Sequence, residues 1–131
     1  MRRRFDELLP LEEHVLLIGK RALTERKAPA SAQGWFHAYG ASQAMAQTYG
    51  DSLAKNGTLY RSLRGLATRG YLIDRLETEE EAATHTGPAR RYFQITAEGE
   101  RALADADARR KQASKGLLAS KKGRALAPTM N

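Results

Sequence analysis

Residues 55–72 read KNGTLYRSLRGLATRGYL, and this stretch decides the fold. Leu59, Leu63 and Leu66 fall within about 60° of one another when successive residues are placed 100° apart, so they form one apolar face of a helix. The pattern predicts a helix over about 56–69. The glycine that follows is a typical C-terminal cap, and the segment YLIDRLE then reads as a strand.

The helix face turned away from the leucines carries hydrogen-bonding and positively charged groups. It consists of Gly57, Tyr60, Arg61, Arg64 and Thr68. An arginine can fork two hydrogen bonds onto guanine or pair with a phosphate. Neither arginine has an acidic residue three or four positions away, so the helix does not neutralise its own charge. The face is therefore a candidate surface for reading DNA, and the alternative is a solvated helix surface.

The rest of the chain predicts a mainly helical protein with one small β-hairpin. Helices are expected at about 10–23, at 41–49 and from 97 to about 116, and strands at 71–77 and 90–96. Thr96 is a good N-cap for the last helix. The segment GDSLAKNG, 50–57, reads as a turn or a very short helix. Helix, helix, helix, hairpin, helix is the order of a winged helix-turn-helix, in which the third helix takes the recognition position.

The chain divides into a basic N-terminal arm at 1–9, a folded domain at 10–116 and a flexible basic tail at 117–131. The net charge is +7, but residues 1–108 hold equal numbers of basic and acidic side chains. The whole excess lies in 109–131, which contains no acidic residue. We therefore expect the folded domain to attract nucleic acid through local patches rather than through its total charge.

Several classes of function receive no support from the sequence. The chain has no cysteine, and its histidines, His14, His37 and His85, lie on separate predicted elements without a metal-ligand spacing. The run Glu79–Glu81 reads as a solvated loop, and His85 as a solvated loop histidine. We expect no enzyme, cofactor or metal. With no apolar run of membrane-spanning length and no signal peptide in view, the expected location is the cytoplasm, without a membrane partner.

Three stretches together resemble the PadR family of bacterial winged-helix transcriptional regulators. They are HAYGASQAM at 37–45, GTLY at 57–60 and GPARRYFQITAEG at 87–99. The family typically shows a Gly-Thr-Leu-Tyr recognition helix and a wing ending Gly-Pro-x-Arg-Arg-Tyr-Tyr-x-Leu-Thr-x-Glu-Gly. The resemblance implies a homodimer that binds a palindromic operator in double-stranded DNA, usually as a repressor. In some members a small-molecule effector near the dimer interface releases the DNA.

The helix chemistry and the resemblance together give two sets of candidate residues. The DNA-binding set is Ser42, Asn56, Gly57, Thr58, Tyr60, Arg61, Arg64, Thr68, Arg90 and Arg91. The dimer-interface set is Leu11, Val15, Ile18, Trp35, Leu103, Ala106 and Leu117. Asn56 stands where the family commonly has proline, and it is itself a good N-cap. Arg90 and Arg91 would point to opposite sides of a strand, so a wing contact is expected from the Arg90 side.

Other features depart from the family pattern. The loop at 24–38 is longer than usual, and Trp35 within it is interpreted as a core or dimer-contact aromatic rather than a ligand-stacking one. The last helix is rich in small residues, which bury little area. Two other functions stay open at this point: a winged helix used for protein contacts, and a non-specific nucleic-acid binder driven by the tail.

Overall fold

Five helices and three strands follow one another in residues 7–27, 29–49 and 57–129, which are the residues that the computed structural model describes. The helices are α1 (Pro10–Ala22), α2 (Ala38–Tyr49), α3 (Thr58–Thr68), α4 (Glu79–Ala82) and α5 (Ala97–Thr129). The strands are β1 (Phe36–His37), β2 (Leu72–Leu76) and β3 (Arg91–Ile95), and a 3-10 turn spans Ala30–Ala32. The predicted order of helices and hairpin is confirmed.

Helix α1 begins where the sequence predicts, at a proline in its first turn. Glu12 Oε1 accepts a hydrogen bond of 2.8 Å from the Leu9 backbone N–H, which would otherwise lack a helical partner. Val15, Leu16 and Ala22 are buried along one face of the helix. This apolar face packs against α3, α5 and β3, so α1 lies at the centre of the domain.

The sheet has three antiparallel strands in the order β1-β3-β2, one more than the hairpin predicted from the sequence. Strand β1 pairs Phe36 with Phe93, and β2 pairs Leu72 with Ile95. The two residues of β1 are too few to show a period of two, which is why the sequence pattern missed them. Strand β2 is also less buried than its leucines suggest: Leu72 is 1% exposed, whereas Leu76, where the strand leaves the core, is 61% exposed.

The start of α5 is fixed to the chain that enters β2. Thr96 Oγ1 accepts from the Gly99 N–H at 3.0 Å, which confirms Thr96 as the N-cap, and donates to the Gly70 carbonyl at 2.6 Å. The backbones also meet, because the Thr96 N–H donates to the Tyr71 carbonyl at 3.1 Å. Gly99 is required here: a Cβ at this position would lie 2.2 Å from the Tyr71 carbonyl oxygen.

Helix α5 is longer than predicted. It runs to Thr129 instead of ending near Gly116. The segment beyond Gly116 is dominated by leucine, alanine, lysine and arginine, which are strong helix formers, and its only proline is Pro128. The segment 117–129, which was expected to be part of a flexible tail, therefore has a helical backbone.

Two sequence-based predictions fall outside the described residues. The turn at 50–57 lies there except for Gly57, and so does most of the basic arm at 1–9.

Candidate nucleic-acid interface

Helix α3 separates an apolar face from a polar one, as the sequence predicts. Leu59, Leu63 and Leu66 are between 0% and 4% exposed. On the other side Thr58, Tyr60, Arg61, Arg64 and Thr68 are exposed. Among the described residues neither Arg61 nor Arg64 forms an ion pair with a carboxylate within 4.0 Å. We call Tyr60, Arg61 and Arg64 the recognition face.

The first turn of α3 begins at Gly57, which adopts a left-handed conformation with φ of 74°. Glycine takes this conformation without the steric cost that a side chain would add. The Gly57 carbonyl accepts the Arg61 N–H at 2.8 Å, which closes the first turn beneath the recognition face. Asn56, predicted to cap this helix and to contact DNA, lies outside the described residues.

Two hydroxyl groups of the predicted DNA-binding set are engaged with backbone carbonyls. Thr68 Oγ1 donates to the Arg64 carbonyl at 2.9 Å. Ser42, on α2, donates to the Tyr39 carbonyl at 2.7 Å. A hydroxyl oxygen that donates in this way keeps its lone pairs, so both groups can still accept a hydrogen bond.

The wing is the segment 77–90 between β2 and β3, and its two predicted arginines have different partners. Arg91 pairs with Asp74 of β2, with 2.8 Å between Nη1 and Oδ2. Arg90 instead lies at the base of the wing, with its Nη1 3.3 Å from His37 Nε2 and its guanidinium carbon 6.0 Å from the centre of the Tyr39 ring. The structure therefore brings Arg90 to the start of α2, while the carboxylate of Asp74 offsets the charge of Arg91.

His37 lies between the wing and α2, a position that no sequence pattern indicated. Its Nδ1 accepts the Gly40 N–H at 3.1 Å, so the ring caps the N-terminus of the helix. Burial, followed by the neighbouring charge of Arg90, lowers the pKa of His37 to about 4. The neutral ring stacks at 6.4 Å on Tyr39, whose own side chain is 53% exposed. Because the sequence pattern predicted that α2 starts at residue 41, His37 was not recognised as the residue that caps it.

The prediction that His85 is a solvated loop histidine was wrong. His85 Nε2 lies 2.6 Å from Glu77 Oε2, and the two side chains are only 10% and 6% exposed. The hydrogen bond that His85 Nε2 donates to Glu77 raises the pKa of His85 and lowers that of the glutamate. This pair joins the two sides of the wing, eight residues apart, into one unit.

The prediction of a solvated glutamate run at 79–81 was wrong for Glu81. The run forms helix α4, capped by Thr78, whose Oγ1 accepts the Glu81 N–H at 3.1 Å. The Glu81 side chain is fully buried and accepts hydrogen bonds of 2.8 Å from each of the two terminal guanidinium nitrogens of Arg75. Hydrogen bonds from Arg75, more than any other cause, lower the pKa of Glu81 to about 2. Two carboxylates, on Glu79 and Glu80, stay exposed on this side of the wing.

The predicted dimer-interface residues occupy different environments. Val15 and Ala106 are 0% and 5% exposed, so they serve the core of the chain and present almost no surface to a partner. Leu11, Ile18 and Leu103 pack partly buried against that core. Trp35 lies over the guanidinium of Arg75 at 4.6 Å. The side chain of Leu117 lies outside the described part of the structure.

A groove of about 720 Å³ runs between α1 and residues 103–111 of α5. Its apolar floor includes Leu17 and Leu103, and charged groups flank it. Arg110 forms an ion pair with Glu13 across the groove. Burial and the charge of Arg21 lower the pKa of His14, which also lines it.

Among the described residues, no three histidine, aspartate or glutamate side chains are placed so that they could hold a metal ion. Within the same residues, no helix combines the length and the apolar character that crossing a bilayer requires. The arginine-bearing helix face and the wing, placed on a three-helix core, define a winged helix-turn-helix protein.

Residues 32–105 match the sequence model of the family described as "Transcriptional regulator PadR-like family". The match covers more than half of the chain, and the chain belongs to this family. It is accordingly a DNA-binding transcription regulator and not an enzyme. The family resemblance inferred from the three sequence stretches is confirmed. No curated protein sequence matches the chain significantly.

Three solved structures share the fold at low sequence identity. A PadR-like transcription factor from Bacteroides fragilis is 20% identical with a TM-score of 0.59, covering 82% of this chain and 85% of that one. A candidate transcriptional regulator from Thermoplasma acidophilum is 22% identical with a TM-score of 0.56, covering 82% and 88%. A transcriptional regulator from Clostridium thermocellum is 16% identical with a TM-score of 0.56, covering 83% and 89%.

Proposed function

We propose that this protein is a repressor that binds a palindromic operator as a homodimer, with α3 in the major groove and the wing beside it. The recognition face carries the proposal, because Arg61 and Arg64 are exposed and no carboxylate of the described residues pairs with them. The proposed place of action is the cytoplasm, with the protein associated with the nucleoid when it is bound to DNA.

Base reading follows from the chemistry of the recognition face. A guanidinium matches O6 and N7 of guanine with two parallel hydrogen bonds, and each such pair discriminates against the wrong base by about 1–3 kcal/mol. Tyr60, 42% exposed, offers a phenol that can donate to a phosphate. The neutral charge balance of residues 1–108 means that this small face must supply most of the specificity.

The proposed dimer uses the groove between α1 and α5. Its floor contains partly buried apolar side chains such as Leu103, which a second chain would cover. A helix-turn-helix dimer presents its recognition helices about 34 Å apart, one turn of DNA, which is why a palindrome is expected. Repression would follow if the bound dimer occludes a promoter.

The test begins with selection of bound duplexes from a random DNA pool by the full chain at moderate salt. We expect a palindrome with half-sites about one helical turn apart. Arg61→Ala and Arg64→Ala should each weaken binding to the selected duplex by about tenfold or more and relax the preference at one position per half-site. Arg101→Ala is the matched control, because it removes an exposed arginine that pairs with Glu98 on α5.

The outcomes separate this proposal from its competitors. If Arg61→Ala and Arg64→Ala leave the selected sequence unchanged, the recognition role of α3 is wrong. Selection of no duplex over random DNA would favour a winged helix used for protein contacts. Binding that depends on residues 117–131 and shows no sequence preference would instead favour a non-specific nucleic-acid binder.

A further inference from the structure

The segment that precedes α2, residues 29–37, contacts both ends of the wing. Near its beginning, Ser31 donates from Oγ to Glu81 Oε2 at 3.2 Å and accepts Arg75 Nη2 at its carbonyl at 3.1 Å. At its end, His37 lies 3.3 Å from Arg90. One short stretch of chain, more than forty residues away in sequence, therefore contacts the wing near both of its ends.

Arg75 is the centre of the contact on the Glu81 side. Its guanidinium contacts two aromatic rings, with its carbon 4.6 Å from the centre of the Trp35 ring and 4.9 Å from the centre of the Tyr92 ring. Both of its terminal nitrogens bind the Glu81 carboxylate. We call Arg75, Glu81, Trp35 and Tyr92 the arginine clamp. A planar fork that contacts two rings and a carboxylate leaves the arginine little rotational freedom.

The clamp fixes the wing and not merely the sheet, because Glu81 belongs to the wing. Helix α4 is a single turn that would be marginal by itself. Its only fully buried side chain is Glu81, which accepts hydrogen bonds from Arg75 of β2 and Ser31 of the segment 29–37, as well as from the Thr78 N–H within the wing. The next strand carries Tyr92, and Arg90 lies two residues before it. A displacement of Glu81 would therefore also displace Arg90, because both residues belong to the same hairpin.

We propose that the arginine clamp positions the wing for DNA binding, so that Arg75 and Glu81 act as positioning residues whose effect on operator affinity is exerted through Arg90. This inference rests on the proposed function. According to this proposal, the long loop before α2 supports the wing, and Trp35 lies in that loop because it contacts Arg75 of the clamp.

A double-mutant cycle on the duplex selected by the native chain tests the inference. Glu81→Gln keeps the side-chain shape and removes its charge, and Arg90→Ala removes the proposed contact. We expect Arg90→Ala to weaken binding about tenfold and Glu81→Gln about threefold or more. The double variant should bind no more weakly than Arg90→Ala alone, because the clamp has then nothing left to position.

Glu80→Gln is the matched control, since Glu80 is exposed in the same helix and the substitution removes the same charge. Removing a wing carboxylate near phosphate should slightly strengthen binding, so a loss seen only with Glu81→Gln reports positioning rather than charge. Arg75→Lys, which keeps the charge but loses the fork and the stacking, should reproduce the loss of Glu81→Gln. Both clamp variants should also accelerate amide hydrogen exchange across 77–90 in the free protein.

Two results of these experiments would overturn the inference. Additive losses from Glu81→Gln and Arg90→Ala, or an effect of Glu81→Gln equal to that of Glu80→Gln, would show that the clamp is only structural. If these results appear while Arg61→Ala still weakens binding, the proposed function stands and only the clamp role falls. Loss of the Arg61→Ala effect would overturn the proposed function instead.

Discussion

At the scale of single residues, His37 shows how one neutral ring can organise an interface. Its Nδ1 accepts the Gly40 N–H, so protonation of that nitrogen would replace an acceptor with a donor and remove the cap of α2. Burial and the adjacent Arg90 keep the ring neutral by lowering the pKa of His37 to about 4. The residue thus joins the helix and the wing without adding charge.

This arrangement predicts a loss of stability as the pH falls. The ordinary histidine pKa is about 6.5, and the value in the folded protein is about 4. Between these values the unfolded chain binds a proton that the folded chain excludes, so the free energy of unfolding falls as pH is lowered through that window. His37→Asn, which retains a capping acceptor, should flatten the pH dependence of the urea midpoint between pH 6.5 and 4.5.

His85→Asn is the comparison for the His37 experiment, because its predicted effect has the opposite sign. Glu77 raises the pKa of His85, so the stabilisation from their pair is complete below pH 6.5 and is lost as the pH rises through the higher folded value. Replacing His85 should therefore remove a decline of stability above pH 6.5. An unchanged slope between pH 6.5 and 4.5 in His37→Asn would contradict the role given to His37.

At the scale of elements, the junction of α5 with β2 depends on one close approach. Gly99→Ala would place a Cβ 2.2 Å from the Tyr71 carbonyl oxygen and 2.8 Å from Ile95 Cγ1. Since the first of these atoms belongs to the backbone, the helix must shift. We expect a loss of about 1–3 kcal/mol in the free energy of unfolding, measured by urea denaturation.

Gly116→Ala is the control for this junction. Gly116 is exposed in the same helix, and a Cβ there would meet no atom within 4 Å. The substitution should raise the stability by up to about 1 kcal/mol, because alanine is the better helix former. Equal effects of the two substitutions would show that the approach of Gly99 to Tyr71 does not constrain the fold.

The elements also show which parts of the fold could be predicted from sequence. Helix α3 was predictable because its leucine spacing and polar face are local, and Thr96 because a cap is recognised within four residues. Glu81 and Arg75 lie six residues apart but need Ser31, fifty residues from Glu81, to complete their site. Such contacts follow from the tertiary packing, so the sequence pattern could not distinguish a buried glutamate from a solvated one.

At the scale of the whole molecule, the net charge is distributed unequally between two parts of the chain. The winged-helix body carries no net charge through residue 108, whereas residues 109–131 carry the entire excess. The same segment contains Arg110, which pairs with Glu13 of α1, and continues α5 as helical backbone to Thr129. A basic helical segment that follows a neutral body in the chain can attract a polyanion without taking part in base reading.

This division predicts that affinity and specificity will respond differently to loss of the C-terminal segment. Deleting residues 117–131 removes Lys121, Lys122 and Arg124. If all three contact phosphate in the complex, the slope of log K against log salt should become shallower by about 2.7. Affinity at low salt should fall, while the ratio of binding to the selected duplex over random DNA stays the same.

Substitution of the three basic residues by glutamine, which keeps the helix, separates charge from length and should give the same shallower slope. Fluorescence anisotropy titrations across a series of salt concentrations, with the selected and the random duplex in parallel, measure both quantities. A fall in the ratio between the two duplexes would show that the segment takes part in sequence recognition. The recognition face of α3 would then no longer account for specificity alone, and the neutral body would need its basic extension to read DNA.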